Sequence, residues 1–305
     1  MNFSKPNFWE TKNIISLFFL PLSIITYIVN YFKNIFPKKK LKIKTICVGN
    51  IYIGGTGKTS LSIEINKIFK NKFKTVFIKK KYSDQKDEIN LLEKFGKIIT
   101  NKNRLKALHI AEKKKFEVAI LDDGLQQKNI NYNIKIVCFN TFDGIGNGFL
   151  LPAGPLRESL KEIKNYDLVF LNGEKNNLKL FNKIKKINKK INIFKTNYCP
   201  INLKTFNRNK NYIMFCGIGN PQDFENTLLK YKFKIRKKII YPDHYKIPNK
   251  EIKNIKKIAK KEKLTIITTE KDFLRLDNIQ KKGIQCLRIK LKIKNLNKLK
   301  KILFN

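Results

Sequence analysis

Acidic residues are scarce in this sequence. Its 305 residues include 23 Asp and Glu against 66 Lys and Arg, which gives a formal net charge of +43. Such an excess of cations is typical of proteins that bind nucleic acids, because clustered Lys and Arg neutralise phosphates. Arginine, the usual reader of bases, is scarce beside lysine, and lysine is spread over the whole chain. We therefore predict no nucleic-acid partner. Attraction to anionic lipid and plain solvated charge remain as explanations.

Cysteine and histidine are also few. The cysteines are scattered and none is in CxxC spacing, so neither a disulfide framework nor a zinc site is predicted; they are Cys47, Cys138, Cys199, Cys216 and Cys286. Three of them fall in apolar runs and are predicted to be buried reduced thiols. Of the two histidines, His109 lies in a predicted helix and is interpreted as structural, whereas His244 lies in a loop.

The longest apolar stretch, Ile14–Phe36, lies near the N-terminus. It approaches the roughly 20 residues that cross a bilayer, but Pro21 and several polar residues interrupt it. No small-residue cleavage site follows, so a secretory signal is not indicated. Three interpretations stay open: a helix lying in the membrane interface, a single span, or a core helix of the folded domain. In the first two, the basic cluster Lys38–Lys44 would keep the rest of the chain cytoplasmic.

Strand and helix patterns alternate after this cluster. Buried strands are predicted at 44–50, 74–79, 117–121, 134–139 and 168–171, with helices at 59–70 and 103–115. Beyond a polar, Lys- and Asn-rich stretch, a second set of alternating elements begins near residue 212. The pattern predicts an α/β fold, a parallel sheet with helices on both faces and a smaller C-terminal α/β lobe. The glycine-rich loop at 54–59, described next, makes the predicted sheet P-loop NTPase-like. The predicted divisions are 1–40 for a membrane-associated helix, 41–200 for the P-loop core and 201–305 for the smaller lobe.

A glycine-rich loop lies between the first predicted strand and the first helix after it. Backbone N–H groups in such a loop cradle phosphates, the lysine reaches the β- and γ-phosphates, and the last hydroxyl binds Mg²⁺. The loop reads Gly54-Gly55-Thr56-Gly57-Lys58-Thr59. A strict pattern has glycine at position 52, where this chain has Tyr52; the double glycine at 54–55 is expected to make the turn instead.

Three further segments carry candidate chemistry. Asp122 and Asp123 end an apolar strand, where a carboxylate positions Mg²⁺ or water opposite a P-loop, although a simple turn is the alternative. In the glycine- and proline-rich run 146–158, Arg157 could stabilise transferred phosphate and Glu158 could help hold the metal; an ordinary structured loop is the alternative. His244 could orient a catalytic base or be merely structural.

Taken together, the motifs resemble the tetraacyldisaccharide 4'-kinase family closely. The matching segments run in order along nearly the whole chain: FW at 8–9, PLS at 21–23, CVGNIYIGGTGKT at 47–59, LDDGLQ at 121–126, GNGFLLPAGPLRESL at 146–160, FCGIGNPQDF at 215–224, YPDHY at 241–245 and TTEKDFLRL at 268–276. The resemblance implies transfer of the ATP γ-phosphate to the 4'-hydroxyl of a tetraacyldisaccharide 1-phosphate, giving lipid IVA. It implies ATP and Mg²⁺ as cofactors, a lipid-linked disaccharide substrate and the inner-membrane surface as partners, and no obligate protein partner.

The resemblance also implies roles for individual residues. Asp87 would be the base, helped by His244, in a cleft between two lobes. The family's phosphate and metal groups would fall on Lys58, Thr59, Asp122, Asp123, Gln126, Arg157 and Glu158. The segment before Asp87 departs from the family pattern, with three lysines at 79–81 and Lys86 in place of glycine. Asp84 and Glu88 therefore stay open as alternative bases. A P-loop regulatory ATPase at a membrane, without a sugar acceptor, is the alternative function.

Overall fold

A computed structural model describes residues 6–82, 86–243 and 245–304. Within these ranges the strands are β1 (Lys44–Gly49), β2 (Thr75–Lys80), β3 (Ile98–Asn101), β4 (Val118–Asp122), β5 (Ile134–Asn140), β6 (Leu168–Asn172), β7 (Asn192–Pro200), β8 (Asn211–Cys216), β9 (Lys234–Ile240), β10 (Thr265–Thr269), β11 (Ile284–Leu287) and β12 (Ile289–Ile293). The α-helices are α1 (Ile14–Phe18), α2 (Leu20–Ile35), α3 (Lys58–Phe69), α4 (Lys86–Glu93), α5 (Arg104–Lys113), α6 (Leu178–Ile187), α7 (Pro221–Lys230), α8 (Asn249–Lys261), α9 (Glu270–Arg275), α10 (Asn278–Lys281) and α11 (Leu296–Phe304).

The chain folds into two compact units. The large unit contains the described residues of 6–82, 92–197 and 293–304. The small unit contains those of 86–91 and 198–292, except residue 244. Each unit is built around its own sheet, and the pairs among β1–β7 and among β8–β11 are parallel, as the alternating strand and helix patterns predict.

The sheet of the large unit has the strand order β12-β7-β6-β5-β1-β4-β2-β3. Strand β1 lies between β4 and β5 and is parallel to both. After β1 the chain places β2, β3 and β4 on one side of it and β5, β6 and β7 on the other. Ligands of such sheets bind where the order reverses, at the carboxyl ends of the strands. The loop after β1 occupies this position.

Helices cover both faces of this sheet. On one face, α5 and α6 pack their apolar side chains on alternate residues of the strands, including Ile78, Leu121 and Phe139. Helix α3 contacts β1 and β4, and its Phe69 ring lies 5.0 Å from that of Phe304 in α11. Because successive strand residues point to opposite faces, strands buried on both sides are apolar throughout. This explains the continuous apolar runs in the sequence.

The small unit has the strand order β11-β10-β8-β9, and its neighbouring strands are parallel. On one face Phe224 and Leu228 of α7 pack against Tyr212 and Met214 of β8. On the other, α8 contributes Ile252, Ile255 and Ala259. Gly217, at the carboxyl end of β8, and Thr269, at that of β10, therefore belong to the same edge of the sheet.

Two segments belong to a different unit from the one that their sequence position predicts. Helix α11, in the predicted C-terminal lobe, lies in the large unit because Leu299 and Leu303 are buried there and Phe304 packs on Phe69. Residues 86–91, in the predicted core, group with the small unit, where Asp87 pairs with Arg275.

The predicted apolar helix at the N-terminus is divided in two. Asn13 caps α1, since its side chain accepts the Ser16 N–H and the Ser16 hydroxyl accepts the Asn13 N–H, both at 2.9 Å. A second helix, α2, starts at Leu20 with Pro21 in its first turn. Among the described residues, none of the helices combines the length and the apolar character needed to span a bilayer.

Candidate active site

The loop after β1 is built to hold an anion. Strand β1 ends at Gly49 and α3 begins at Lys58, so the glycine loop lies between a buried strand and a helix N-terminus. Gly54 and Gly57 have φ angles of 133° and 87°, which side chains other than glycine rarely tolerate. Loops of this kind direct backbone N–H groups towards a bound phosphate, whose charge the helix N-terminus also favours.

Tyr52 packs against this loop from the position where a strict pattern has glycine. Its ring is buried, and a Cβ atom added to Gly54 would lie 3.4 Å from the ring carbon Cε1. The side-chain amide of Asn50 donates to the carbonyls of Tyr52 (2.6 Å) and Gly54 (3.3 Å). Gly54 has the backbone angle that the turn requires, and the tyrosine supports the turn.

Asp122 lies beside the N-terminal turn of α3. The hydroxyls of Thr59 and Ser62 donate to its carboxylate at 3.1 and 3.4 Å. Lys79, its register partner on β2, places Nζ 2.6 Å from Oδ2. The side chains of this ion pair are 3% and 0% exposed. The sequence interpretation missed Lys79 as a site residue; the available signal was a lysine ending an apolar strand next to the strand that carries Asp122.

Asp123 and Arg157 form the second ion pair of this region. The guanidinium of Arg157 donates to both carboxylate oxygens, at 2.9 and 3.3 Å. Burial raises the pKa of the Asp123 carboxyl, but Lys58 and then Arg157 outweigh burial and lower the pKa to about 2. Arg104 donates to the Asp123 backbone carbonyl. Asp123 is therefore a fixed negative charge among three cations.

Asn50 joins Arg157 to Gln126. Its backbone carbonyl accepts from Arg157 Nη2 at 2.8 Å and from the amide of Gln126 at 2.9 Å. The Arg157 guanidinium also donates to the Asn50 side chain, and the Arg157 N–H donates to Ile51 at 2.7 Å. Arg157 is thus anchored to the segment that leads into the glycine loop, and its phosphate-stabilising role stays a prediction.

Glu158 has other partners. Its buried carboxylate lies 2.9 Å from Lys128 Nζ and accepts a 2.6 Å hydrogen bond from the Tyr166 hydroxyl. Burial raises the pKa of Tyr166 well above its ordinary value, and the charge of Glu158 raises it further. These contacts fix the start of the segment after Arg157. A role of Glu158 in metal binding stays a prediction.

The donor set at Thr59 and Asp122 fits Mg²⁺, which prefers hydroxyl, carboxylate and phosphate oxygens. Throughout residues 6–82, 86–243 and 245–304, no three His, Cys, Asp or Glu side chains are grouped to hold a metal on their own. Mg²⁺ in nucleotide sites binds through one or two protein groups, with phosphates and water completing its shell. In addition, the buried Thr56 hydroxyl has no partner in the described part of the chain, and a phosphate oxygen would satisfy it.

Helix α2 binds the segment that carries Arg157. One polar side chain per turn reaches a backbone carbonyl of that segment: Ser23 that of Leu150 (2.8 Å), Thr26 that of Leu151 (2.7 Å) and Asn30 that of Arg157 (2.8 Å). We call Ser23, Thr26 and Asn30 the polar stripe. Trp9 adds a hydrogen bond from its indole N–H to Pro152 at 2.9 Å. The other sides of α2 expose large apolar residues such as Ile25 and Phe32.

Asp87 and Glu88, two of the residues predicted for the acceptor side, lie in the small unit. Asp87, in the first turn of α4, is buried and paired with Arg275 at 2.8 Å, and Glu88 pairs with Lys271 at 2.7 Å. His244 and Asp84, predicted as helper and as alternative base, lie outside the described residues. His109 pairs with Glu112 on the surface of α5.

The loop, the strand-end carboxylate and the hydroxyl beside it define a P-loop phosphate-binding protein of the α/β class.

The buried cysteines Cys47, Cys138 and Cys216 confirm the prediction of buried thiols. Burial raises the pKa of the Cys47 thiol to about 12, so this thiol takes no part in chemistry near neutral pH.

Comparison with known proteins narrows the class to one family. The family model described as tetraacyldisaccharide-1-P 4'-kinase, LpxK, matches residues 15–305. The tetraacyldisaccharide 4'-kinase of Pelagibacter ubique is 47% identical over 310 aligned residues, covering 99% of each chain. That of Rickettsia canadensis is 35% identical, over 98% of this chain and 96% of the relative. The chain belongs to the tetraacyldisaccharide 4'-kinase family.

The fold agrees with a solved structure. The crystal structure of LpxK from Aquifex aeolicus, described as an "apo" form in complex with ATP, superposes with a TM-score of 0.73. It covers 95% of this chain and 99% of its own, at 24% identity. This likeness confirms the predicted α/β fold with its large parallel sheet flanked by helices.

Proposed function

We propose that this protein transfers the γ-phosphate of ATP to the 4'-hydroxyl of a tetraacyldisaccharide 1-phosphate, giving lipid IVA. Family membership names the reaction class. The observation that carries the proposal is the joint placement of the glycine loop, the Thr59–Asp122 pair and Arg157 at one edge of the large sheet. A site that binds a phosphoryl donor needs these groups, whereas a plain structural turn needs none of them.

On the ATP side, the loop N–H groups and Lys58 bind the phosphates. Thr59 and Asp122 would hold Mg²⁺, which neutralises the charge that develops on the transferred phosphoryl group. Lys79 forms a buried ion pair with Asp122, and Asp123 holds Arg157 in place through two hydrogen bonds. Arg157 then needs little reorganisation to stabilise the transition state, which is the main contribution that a protein makes to phosphoryl transfer.

On the acceptor side, Asp87 accepts the proton of the sugar hydroxyl, with His244 assisting. The pKa of such a hydroxyl lies far above 7, so a base that takes its proton late in the transfer accelerates the reaction. Asp87 is the preferred base because its carboxylate is buried and oriented by an ion pair, which is how catalytic carboxylates are held.

We further propose that the apolar side of α2 rests on the cytoplasmic face of the inner membrane. The supporting observation is the large number of exposed apolar side chains on α1 and α2, among them Phe18, Ile25 and Phe32. A contiguous apolar surface of this kind is typical of membrane-interaction sites. Such a position would bring the enzyme to a substrate whose acyl chains are anchored in the bilayer.

The test is phosphate transfer from γ-labelled ATP, with Mg²⁺, to the tetraacyldisaccharide 1-phosphate in detergent micelles. We expect label in the lipid, no label when the 4'-hydroxyl is blocked, and no transfer after chelation of Mg²⁺ by EDTA. Hydrolysis of ATP without transfer of label to the lipid would instead indicate the alternative, a regulatory ATPase without a sugar substrate.

A further inference from the structure

Within the small unit, the Asp87 carboxylate is bound by a residue that is distant from it in the sequence. Arg275, the last residue of α9, donates from Nη2 to Asp87 Oδ2 at 2.8 Å. The side chains of Arg275 and Asp87 are 9% and 2% exposed. The two residues are 188 positions apart in the sequence, so only the fold of the small unit brings them together.

Arg275 is itself fixed by the carboxyl ends of two strands. Its Nη1 donates to Asp272 Oδ1 at 2.7 Å and to the Gly217 carbonyl, just after β8, at 2.6 Å. Asp272 in turn accepts from the Gly217 N–H at 3.1 Å and from the Thr269 hydroxyl, at the end of β10, at 2.6 Å. A continuous set of hydrogen bonds therefore runs from the small sheet to Asp87.

This arrangement is a costly way to stabilise a fold. Burying a guanidinium between two carboxylates removes three charges from water, and apolar residues of similar volume are often as stabilising. What an arginine adds is direction, because its planar fork holds two partners at set angles. The bond to Oδ2 fixes the rotation of the Asp87 carboxylate and hence the direction of its other oxygen.

We propose that Arg275 is a positioning residue for phosphoryl transfer: it holds the Asp87 carboxylate oriented to accept the proton of the acceptor hydroxyl. Asp272, Thr269 and Gly217 serve by fixing Arg275. The inference rests on the proposed function, in which Asp87 is the base. It also assigns a purpose to two segments singled out in the sequence, FCGIG at 215–219 and TTEKDFLRL at 268–276, which the proposed ATP site does not use.

The neighbouring ion pair supplies a matched control. Lys271 lies on the same helix, α9, and binds Glu88, the residue next to Asp87, at 2.7 Å. Burial lowers the pKa of Lys271, but Glu88, Asp243 and Asp87 together raise it above its ordinary value. Substituting Lys271 therefore also removes a charged lysine from α9, but leaves the Asp87–Arg275 contact in place.

The experiment measures kcat and KM for both substrates in the full-length protein. The variants are Arg275→Met, Arg275→Lys, Asp87→Asn, the double variant Arg275→Met with Asp87→Asn, and Lys271→Met. Thermal unfolding and binding of a fluorescent ATP analogue establish that each variant is folded. If Arg275→Met does not fold, Arg275→Lys and Asp272→Asn carry the test, because both retain hydrogen-bonding groups at the buried site.

We expect Arg275→Met to lower kcat about 100-fold, the loss that a misplaced catalytic group causes, with an unchanged KM for ATP. Arg275→Lys should lose about 10-fold, since a lysine keeps the charge but not the fork. In the Asp87→Asn background, Arg275→Met should cost less than about 3-fold more, because residues that act as a unit are not additive. Lys271→Met should stay within about 3-fold of the wild type, as for changes outside the unit.

Other results separate the possible failures. If Asp87→Asn loses turnover but Arg275→Met keeps it, or if the two losses multiply in the double variant, Arg275 does not act through Asp87 and the inference is overturned. Equal losses in Lys271→Met and Arg275→Met would point to Glu88 instead and overturn it too. If Asp87→Asn retains turnover, the base assignment fails and takes the inference with it. A wild-type protein that phosphorylates no lipid contradicts the proposed function itself.

Discussion

Helices α2 and α3 belong to the same unit and contact neighbouring parts of the same site, yet they are built in opposite ways. Helix α3 buries apolar residues, among them Leu61, Ile65 and Phe69, and presents Lys58 and Thr59 at its N-terminus. The only residue that α2 buries fully is a serine, Ser23, and its large apolar side chains are exposed. Its polar stripe faces the protein.

Apolar side chains therefore serve two different purposes in these two helices. In α3 they stabilise the fold, because burial in the core removes apolar area from water. In α2 they do not, since Ile25 remains 60% exposed. The hydrogen bonds of the polar stripe instead join α2 to the segment of Arg157, so that the helix proposed to rest on the membrane also supports a residue of the proposed ATP site.

The largest effect should come from the N-terminus of α3. Lys58→Ala should lower turnover about 10³-fold or more, because it removes a cation from the transferred phosphoryl group, while thermal stability changes little. Steady-state kinetics with a thermal unfolding curve measure both. Lys67→Ala, on the same helix but bound to Glu64, is the control. Equal losses in both variants would mean that the charge of α3, rather than its N-terminal lysine, matters.

The next effect concerns stability and contrasts the two helices directly. Leu61 is 1% exposed, so Leu61→Ala should lower the free energy of unfolding of the large unit by about 2–5 kcal/mol. Ile25→Ala should change it by no more than about 0.5 kcal/mol. Urea denaturation measures both values. A loss above about 2 kcal/mol for Ile25→Ala would contradict this contrast, since the apolar side chains of α2 would then stabilise the fold as those of α3 do.

Binding to lipid should show the reverse order. Phe32→Ser should weaken binding to phosphatidylglycerol vesicles roughly 10- to 100-fold, because burying an aromatic side chain contributes about 1.5–3 kcal/mol. Leu61→Ala should leave vesicle affinity unchanged, provided the assay is run where this variant is folded. Cosedimentation with sucrose-loaded vesicles measures the affinity. If Phe32→Ser bound vesicles as tightly as the wild type, the proposal that the apolar side of α2 rests on the membrane would be contradicted.

The smallest effect should come from the polar stripe. Asn30→Leu removes the hydrogen bond to the Arg157 carbonyl, whose net worth is about 0.5–1.5 kcal/mol, so kcat should fall roughly 3- to 10-fold. Vesicle binding should not weaken. Asn34→Leu is the matched control, because Asn34 lies one turn further along α2 and is exposed. Kinetics in micelles and cosedimentation together decide, and a normal kcat for Asn30→Leu would separate α2 from the ATP site.

Local patterns explain how much of the fold could be predicted. The strand before the glycine loop and the helix after it were predicted within one residue at each end, as β1 and α3 show. Helix α5 begins after Asn103, whose side chain caps it, a local signal that the sequence carries. By contrast, β3 is four residues long and has no fully buried residue, so no apolar pattern marks it. The break at Phe19 lies inside a continuous apolar run.

In the candidate site, too, the features set by neighbours along the chain could be predicted and those set by tertiary packing could not. The glycine loop and the strand-end Asp122 were recognisable because each is set by neighbours along the chain. Lys79 reaches Asp122 only through the register of β2 with β4, and Arg275 reaches Asp87 across 188 positions. The metal-binding role predicted for Glu158 stays a prediction, and its contact with Lys128 is one that the local sequence does not indicate. Partners that depend on tertiary packing cannot be read from local sequence.

The position of the transferred phosphate on the lipid decides whether the protein phosphorylates the 4'-hydroxyl. After incubation of the wild-type protein with ATP, Mg²⁺ and the tetraacyldisaccharide 1-phosphate, the lipid product can be analysed by phosphorus–proton correlation NMR. We predict a second phosphorus signal that couples to the proton on the 4' carbon of the disaccharide. Production of ADP with an unchanged lipid spectrum, or a phosphate at another hydroxyl, would contradict the account.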